Sequence, residues 1–472
     1  MPTDQRRLWS VPLLFAALFG PLAWARHHWL GSWTYDLGIK AQLLYNCTRG
    51  RWLESSVEVQ HYFGDHLNPT FLLLTPLYGL LPYPGTLILF QCVFFAVGGV
   101  IVARLTARWL PGEPSLVIPA SAAYLFQCSA GNLILYDFHE TAMASTFILL
   151  AIYAFQSERT ILGLVATCLS VGCKETGGLD CAAVGTWLAV SRRRRLLGTF
   201  MIAGGLAYTY LAVAVIMPFF RGGRADSLEH YAHLGTTPGE MIGNIFARPY
   251  NLPKALLHPV KLLYVAILLL PALFVPLRYP RTLLPAVWVI LPNLLSTRQT
   301  QYLARYQYDA CVIPFLALAM LECWPRLLRG PASQRSRRKL ILATVLALLL
   351  SNANSTVFGW AGYVLPNVTR RAAFNELARL IPPEAPLSAS LNLGPHLVRR
   401  QFIDYPSIDW PIDRFPDLPH RRARYALIDF LFEARHFRTP AAEVRQRLAG
   451  ASYALEVERN GFALYRLVDG QT

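Results

Sequence analysis

The sequence predicts an all-α polytopic membrane protein with about eleven transmembrane helices, followed by a small α/β domain on the outer face. Of the 472 residues, 54% are hydrophobic and only 15% are charged, whereas a soluble protein has roughly 25% charged residues. The apolar residues are concentrated in blocks, which excludes a disordered chain, a coiled coil and an ordinary soluble enzyme. The net charge of +16 would also fit nucleic-acid binding, so the loops that hold this charge decide between the two interpretations.

Eleven apolar runs predict the membrane-spanning helices, since a span is built from a long and largely apolar segment. The first run ends in Ala23-Trp24-Ala25, which would also fit a cleaved signal peptide. A further run, residues 71–81, is too short to cross the membrane and predicts an interfacial or re-entrant helix. The eleven runs are residues 11–25, 84–102, 114–135, 141–154, 161–172, 179–190, 196–220, 260–277, 282–295, 310–321 and 340–364.

The loops between these runs differ in charge, which predicts the orientation of the chain. With the N-terminus in the cytoplasm, the inner loops hold seventeen basic residues against four acidic ones, as the positive-inside rule requires. An odd number of spans then places the C-terminus outside the cytoplasm, so the prediction is a multi-pass protein of the inner (plasma) membrane. The basic excess is therefore an orientation signal, and we expect no nucleic-acid partner.

Residues 366–472 predict a separate outer domain, and residues 1–365 predict the membrane domain, with a first outer loop at 27–69. The tail has no apolar run long enough to span. Segments 386–391 and 424–431 predict strands, and segment 440–450 predicts an amphipathic helix. Two more strands, 452–458 and 462–467, flank Asn460-Gly461, a dipeptide typical of a tight β-hairpin because both residues tolerate positive φ.

The ionisable residues near the span ends are the candidates for function, because a carboxylate at the membrane boundary is costly to desolvate. Asp36 follows the first span and could also cap a helix over residues 37–47. Asp65 and His66 end the same loop and could form a simple polar turn. Asp137, His139 and Glu140 lie between the third and fourth spans, without the spacing of a common metal motif.

Three further groups lie on the same predicted face. Lys174 and Glu175 interrupt an apolar stretch at a tight turn between spans, where they could form an internal ion pair. His230 and Tyr231 occupy a later outer loop. A last group could belong to an aromatic belt at the interface; it consists of Arg305, Tyr306 and Tyr308.

The order and spacing of these motifs carry a resemblance that covers most of the chain. The sequence resembles an uncharacterised family of predicted bacterial membrane proteins, which is similar to the C-type glycosyltransferases. Those multi-span enzymes take sugars from lipid-phosphate carriers and have an acidic residue in the first outer loop, as Asp36 is here. They often carry a second acid beside it, which this sequence lacks. The motifs are Tyr35-Asp36-Leu37-Gly38, Gly64-Asp65-His66, Asp137-Phe138-His139, Lys174-Glu175, His230-Tyr231 and Tyr306-Gln307-Tyr308.

The resemblance implies transfer of a sugar from a polyprenyl-phosphate donor to an envelope glycan, lipid or protein. We expect Asp36, Asp65 and Lys174 to be catalytic, with Asp36 as the general base and cations such as Lys174 on the departing phosphate. The remaining residues would bind substrate or, through oxygen ligands, a divalent metal. The alternatives are a transporter or flippase for a lipid-linked glycan or another anionic solute, and a non-catalytic envelope assembly protein. The expected substrate-binding residues are His66, Asp137, His139, Glu140, Glu175, His230, Tyr231, Arg305, Tyr306 and Tyr308.

Overall fold

The structure is a computed structural model, and it describes residues 5–57, 61–222, 226–328, 333–353, 365–405 and 423–468. Most of these residues are helical, and five strands follow in the tail. The α-helices are α1 (Gln5–His28), α2 (Ile39–Cys47), α3 (Thr75–Leu80), α4 (Pro84–Trp109), α5 (Val117–Leu125), α6 (Cys128–Leu135), α7 (Thr141–Gln156), α8 (Thr160–Val171), α9 (Gly178–Ser191), α10 (Arg195–Leu211), α11 (Met217–Arg221), α12 (Pro238–Ala247), α13 (Asn251–Leu256), α14 (Pro259–Leu269), α15 (Leu284–Leu295), α16 (Val312–Leu327), α17 (Ser333–Ala353), α18 (Val368–Leu380), α19 (Phe430–Phe437) and α20 (Ala441–Gly450).

Three of the described helices are long and apolar enough to cross a membrane. They are Gln5–His28, Pro84–Trp109 and Arg195–Arg221, the last of which runs from α10 through a π-helical turn into α11. Further apolar helices of 10–17 residues lie between and after them. The count of about eleven spans stays a prediction, and residues 354–364 of the last predicted span lie outside the described residues.

The apolar run at 114–135, which we expected to be one span, is interrupted between α5 and α6. Two polar side chains of α17 satisfy the backbone groups that this break exposes. Asn352 Nδ2 donates to the carbonyl of Phe126 at 2.7 Å, and Ser351 Oγ accepts from the amide of Cys128 at 3.2 Å. A helix can break in apolar surroundings only when such partners replace the lost hydrogen bonds.

Glycines allow α9 and α10 to pack at very short range. A Cβ atom placed on Gly178 would overlap the carbonyl oxygen of Gly205, and one placed on Gly198 would overlap that of Gly185. Small residues at helix contacts are the usual device for close packing in membranes, where no hydrophobic driving force exists between helices. Because α9 begins directly after Lys174 and Glu175, this contact also fixes the turn that carries them.

The chain forms two compact units. The first contains Met1–Leu22, Phe63–Leu73 and Leu89–Trp360, and the second contains Ala23–Tyr62, Leu74–Ile88 and Ala361–Thr472. The segment after the first span therefore folds with the tail in one unit. The predicted domain boundary between residues 365 and 366 stays a prediction.

A five-stranded sheet forms the centre of the second unit; four of its strands lie at the segments that the tail sequence predicts, whereas the strand at Ile403–Asp404 was not predicted. Its strands are β1 (Leu387–Ala389), β2 (Ile403–Asp404), β3 (Tyr425–Asp429), β4 (Tyr453–Arg459) and β5 (Phe462–Leu467). Their order is β2-β1-β3-β5-β4; β1 is parallel to β2 and β3, and β5 is antiparallel to β3 and β4. The hairpin prediction is confirmed, since Asn460 and Gly461 have φ of 45° and 81°. Helices α19 and α20 and this sheet share an apolar core that includes Ile428, Phe430, Val444 and Tyr465.

Strand β3 ends earlier than the predicted segment 424–431. The Asp429 carboxylate accepts from the backbone N–H of Phe432 at 3.1 Å and so caps the start of α19. An Asp at this position favours a helix start because it satisfies an amide that has no partner within the helix. The same acid also accepts from Arg370 at 2.6 Å and from Asn392 at 2.8 Å.

Helix α2 and the segment that follows it cover the β2 edge of the sheet. Ser56 Oγ donates to the carbonyl of Ile403 at 2.7 Å and accepts from its amide at 2.9 Å. Gln42 Nε2 donates to the carbonyl of Gln401 at 3.0 Å. An uncovered edge strand would leave a row of unpaired backbone groups, so these side chains take the place of a further strand.

Candidate active site

The turn between α8 and α9 holds the centre of the predicted site in the first unit. His66 Nδ1 lies 3.4 Å from Glu175 Oε2, and His66 Nε2 lies 3.8 Å from Asp65 Oδ2. The Glu175 side chain is 5% exposed, whereas that of His66 is 36% exposed. One imidazole therefore connects a buried carboxylate with a more accessible one, across 109 residues of sequence.

Glu175 is held in its charged form. Burial alone would raise the pKa of this carboxyl group, but the charge and the hydrogen bond of His66, together with Lys174, lower the pKa to about 2. An acid in this state does not donate a proton at neutral pH. Its contribution is electrostatic, because it supports positive charge on His66 and Lys174.

Lys174 is half-buried and faces an aromatic ring. Its Nζ lies 5.5 Å from the centroid of the Tyr308 ring, within the range of a cation–π interaction. Burial lowers the pKa of Lys174, but Glu175, Tyr308 and Glu140 raise it above its usual value in total. Among the described residues, no carboxylate oxygen lies within 4.0 Å of this ammonium group.

Tyr308 is positioned by a buried network that sequence reasoning missed. Asn293 Nδ2 donates to the carbonyl of Tyr308 at 3.1 Å and to the hydroxyl of Tyr264 at 2.9 Å. Tyr264 in turn donates to Asp309 at 2.5 Å. Burial raises the pKa of Asp309 to about 7. The sequence signal was present, since Asp309 directly follows the Tyr-Gln-Tyr motif.

Glu140 and its neighbours form a second layer of contacts. Asn68 Nδ2 donates to Glu140 Oε1 at 2.9 Å. Gln91 of α4 holds the adjacent turn at both ends, because its amide donates to the carbonyl of Asp137 at 3.1 Å and accepts from the amide of His139 at 2.6 Å. The structure thus connects the Asp65–His66 loop with the turn before α7.

Aromatic contacts connect this turn with the loop before α16. The rings of His139 and Tyr136 stack with centroids 5.5 Å apart, and Tyr136 meets Tyr306 edge-on at 5.2 Å. Asn132 Nδ2 donates to the carbonyl of Ala304 at 2.9 Å, beside Arg305. Ala304 itself has a left-handed φ of 51°, a strained conformation that persists only where the surroundings hold it.

His230 and Tyr231 differ in their relation to this site. His230 Nε2 lies 3.2 Å from Arg298 Nη1, and its carbonyl accepts from Thr297. Tyr231 donates to Gln301 at 3.2 Å. Burial raises the pKa of Tyr231 to about 12, with smaller contributions from Tyr308 and Glu175, so Tyr231 lies within electrostatic range of Glu175.

Asp36 belongs to the second unit and lies in the π-helical turn Thr34–Gly38, which leads into α2. It is half-buried. The residue at the N-cap of this turn is Trp33, and Gly38 is at the N-cap of α2. The simple alternative, that Asp36 is a helix cap, was therefore wrong. Single π-helical turns occur frequently at functional sites.

The tail holds the Asp36 turn from both sides. The amide and hydroxyl of Thr34 both donate to the carbonyl of Leu391, at 2.8 and 2.7 Å. The Trp33 ring packs edge-on against Phe432 with centroids 5.5 Å apart, and Tyr35 packs in the same way against Tyr405 at 5.6 Å. The position of Asp36 therefore depends on the fold of the tail.

Asp180 is a second acid that sequence reasoning missed. It accepts from Ser170 Oγ at 2.8 Å and lies 3.5 Å from Cys311 Sγ. Its place in the first turn of α9 is favourable, because the N-terminal end of a helix carries partial positive charge. A single carboxylate inside the apolar run 179–190 was the signal that could have identified it.

The donor set gives no resident metal centre among the residues that the structure describes. No group of three or more His, Cys, Asp or Glu side chains there is arranged to hold a metal ion. The eight cysteines are free thiols, in agreement with their distribution over apolar segments. A divalent metal in this site therefore stays a prediction.

The fold matches that of a known class of membrane enzymes. ArnT from Cupriavidus metallidurans bound to undecaprenyl phosphate has a TM-score of 0.54 at 13% identity, covering 99% of both chains. Its apo state has a TM-score of 0.56 at 12% identity, covering 97% of both. The apo oligosaccharyltransferase from Archaeoglobus fulgidus has a TM-score of 0.41 at 11% identity, covering 99% of this chain and 75% of that one. Both proteins are C-type glycosyltransferases.

The family model described as predicted membrane protein, DUF2079, matches residues 26–464. No curated protein sequence matches the chain. The resemblance found in the motifs is confirmed in both parts, the family of membrane proteins and the likeness to C-type glycosyltransferases. The chain therefore belongs to the DUF2079 family of predicted membrane proteins.

Proposed function

We propose that this protein is a membrane glycosyltransferase that moves a sugar from a polyprenyl-phosphate donor to an envelope acceptor on the outer face. The observation that carries the proposal is the meeting of His66, Lys174, Glu175 and Tyr308. Three separate segments of the first unit supply these side chains, in a fold shared with ArnT. The undecaprenyl phosphate bound by that enzyme supports a lipid-phosphate donor here.

Lys174 is the proposed partner of the donor phosphate. Its ammonium group is kept charged by Glu175 and stands beside Tyr308 rather than against a carboxylate, so its N–H donors are directed to a ligand. As the bond between sugar and phosphate breaks, negative charge accumulates on the leaving phosphate. A fixed cation lowers the energy of that transition state. His66 and Arg305 are the proposed additional cations.

Asp36 is the proposed general base, and Asp65 is the second carboxylate that we propose to be catalytic. The acceptor hydroxyl must lose a proton as it attacks the sugar, and a positioned carboxylate takes it. The π-helical turn held by Thr34 and the tail fixes this carboxylate, which supports the assignment. The acceptor can be a glycan, a lipid or a protein.

A matched pair of lysine variants tests the phosphate role of Lys174. Purified full-length protein is assayed with a panel of polyprenyl-phosphate sugars, with mass spectrometry of the products. Lys174→Met should lower turnover by roughly 10²–10³-fold, the usual effect of removing one donor from a developing oxyanion. Lys254→Met removes an exposed lysine of α13 and should leave turnover unchanged. Equal activity of the two variants would reject the role.

The proposed orientation has the N-terminus in the cytoplasm and the tail outside, as the basic inner loops predict. A reporter that is active only in the cytoplasm, fused after Thr472, should therefore be silent. Strong activity of this fusion would reverse the orientation and remove the outer-face site.

A transporter or flippase for a lipid-linked glycan is the second candidate. The broken helix between α5 and α6 favours it, because transporters use such breaks to line a pathway. The two functions differ in product. A transporter, like a non-catalytic assembly protein, leaves the donor intact in the assay above, whereas a glycosyltransferase releases polyprenyl phosphate.

A further inference from the structure

The second unit contains a group of basic side chains that the proposed reaction does not use. We call it the basic cluster, and it consists of His27, His28, Arg371 and His396. His27 and His28 are in the last turn of α1, Arg371 is in α18, and His396 ends the turn Gly394–His396. Two segments separated by more than 340 residues of sequence thus converge on one place.

The basic cluster is held by close ring contacts. The imidazoles of His27 and His396 stack with centroids 4.3 Å apart and an interplanar angle of 15°. Arg371 Nη1 lies 3.4 Å from His396 Nδ1, and His27 Nδ1 lies 3.1 Å from Ser32 Oγ. His27 and His396 therefore each use their Nδ1 within the protein.

Three other nitrogens of the basic cluster have no hydrogen-bond partner among the described residues. His27 Nε2, His396 Nε2 and Arg371 Nε are all buried and unpaired there, and His27 as a whole is 0% exposed. Buried polar groups in native proteins normally have partners, so this arrangement points to a ligand.

The donor and acceptor roles in the cluster indicate the kind of ligand. A guanidinium group can only donate, so His396 Nδ1 accepts from Arg371 and the ring proton of the neutral imidazole is on Nε2. This N–H and the Arg371 Nε–H are both donors. A ligand that satisfies them must therefore present acceptor oxygens.

The charges of the cluster agree with an anionic ligand. Burial lowers the pKa of Arg371. Burial, His27, Arg371 and His28 lower the pKa of His396 well below its usual value, against a smaller opposite effect of the His27 backbone. No carboxylate is among the groups that shift these two pKa values. Arg371 is therefore a partly buried cation beside a neutral imidazole, and a buried charge is costly unless a group of opposite charge pairs with it.

We propose that the basic cluster binds a phosphate group, carried by a phosphate monoester or diester. Arginine and paired imidazole donors suit the several oxygens of a phosphate better than the two of a carboxylate. The cluster begins at the C-terminal end of the candidate span Gln5–His28, the level at which lipid headgroups lie in a bilayer. The ligand is therefore a lipid headgroup or a free phosphate. This binding proposal does not depend on the proposed glycosyl transfer.

Titration of the full-length protein in phosphate-free maltoside micelles tests this site. All variants carry Lys174→Met, which removes the proposed donor-phosphate cation, so that binding reports on the basic cluster. Inorganic phosphate and dodecyl phosphate are the two probes, and calorimetry measures their affinities. Binding of dodecyl phosphate alone identifies a lipid headgroup site, and equal competition by inorganic phosphate identifies a free phosphate site.

Two variants on one helix provide the control. Arg371→Gln should weaken binding at least tenfold, whereas Arg379→Gln changes an exposed arginine of the same helix and should have no effect. If Arg371→Gln does not fold, His27→Phe keeps the ring stack and removes both ring nitrogens, with the same expected loss. Failure of the Lys174→Met protein to bind either probe at millimolar concentration would overturn the proposal. So would equal affinity of the Arg371→Gln and Arg379→Gln proteins.

Discussion

The two compact units arrange their ionisable side chains in opposite ways. In the first unit, the His66 ring lies 3.4 Å from Glu175 and 3.8 Å from Asp65, and the charge of Glu175 raises the pKa of Lys174, so these basic groups have acidic ones near them. In the second unit, the basic cluster stacks two imidazole rings beside Arg371 and leaves buried nitrogens without a hydrogen-bond partner among the described residues. The first arrangement is stable before substrate arrives, whereas the second gains stability from a bound anion.

The largest expected effect comes from replacing Asp36, the proposed general base, which lies in the second unit. Asp36→Asn should lower product formation by roughly 10²–10⁴-fold, the contribution of a positioned proton acceptor. Its melting temperature should change little, because Asn keeps the size of the side chain and can accept a hydrogen bond as Asp does. Asp36→Glu keeps the carboxylate and should retain more activity than Asp36→Asn. Near-normal product from folded Asp36→Asn would transfer the base role to Asp65 or Glu140.

Breaking the charge balance of the first unit should cost stability. Glu175→Gln leaves His66 and Lys174 without their buried counter-charge, and we expect a loss of about 3 kcal/mol in the free energy of unfolding. Thermal unfolding of the full-length protein measures it, with Glu229→Gln, an exposed acid, as control. An unchanged melting temperature would mean that the balance described above does not stabilise this unit.

Disturbing the close packing of α9 on α10 should have the next largest effect on the stability of the first unit. Gly205→Ala places a methyl group against the carbonyl of Gly178, and we expect a loss of about 1–3 kcal/mol, together with reduced turnover because the Lys174 turn moves. The adjacent Gly204 faces open space, so Gly204→Ala should be neutral or slightly stabilising. Two variants with the same melting temperature would contradict this packing.

In the second unit, removing a positive charge from the basic cluster should raise the stability of the protein rather than lower it. Arg371→Gln takes one cation out of the basic cluster and should stabilise the protein by about 1 kcal/mol in phosphate-free buffer, as substitutions at strained functional sites often do. Saturating phosphate should stabilise the unmodified protein and cancel this advantage. A loss of stability in both buffers would mean that Arg371 has a structural role only.

A mildly acidic pH should have the smallest effect on stability. The direction of this change follows from the lowered pKa of His396. Folding lowers the pKa of this group, so below about pH 6.5 the unfolded chain binds a proton that the folded chain does not. The contribution of His396 to stability is therefore nearly complete at pH 7.5 and falls as the pH decreases, by less than about 1 kcal/mol between pH 7.5 and pH 6. Arg371, His27 and His28 face this group. His396→Phe should flatten the profile between these pH values, and an identical slope would contradict the assignment.

Local sequence signals predicted the tail well. The strand 462–467 and the helix 440–450 agree with β5 and α20 to within one residue, because the hairpin depends on two residues whose backbone preference is intrinsic. The early end of β3 was not predicted, since the Asp429 cap competes with strand propensity. The break between α5 and α6 was also not predictable, because its partners Ser351 and Asn352 are more than 220 residues away.

The candidate site was predictable in part for the same reason. Lys174 and Glu175 were singled out because they are charged residues that interrupt an apolar stretch. The distribution of basic residues over the loops predicted that His66 lies on the same face of the membrane. The basic cluster escaped sequence reasoning because His27 and His396 are ordinary polar residues until folding stacks them. Contacts of this kind depend on tertiary structure, which single-sequence patterns do not encode.

Mass spectrometry of envelope lipids tests the central claim most directly. Cells that lack the protein are supplied with the unmodified chain or with Asp36→Asn at equal expression. Transfer from a lipid-phosphate donor predicts that Asp36→Asn cells accumulate a polyprenyl-phosphate-linked sugar and lose that sugar from an envelope glycan, lipid or protein. Identical lipid and glycan profiles in the two strains, with both proteins folded in the membrane, would contradict the account.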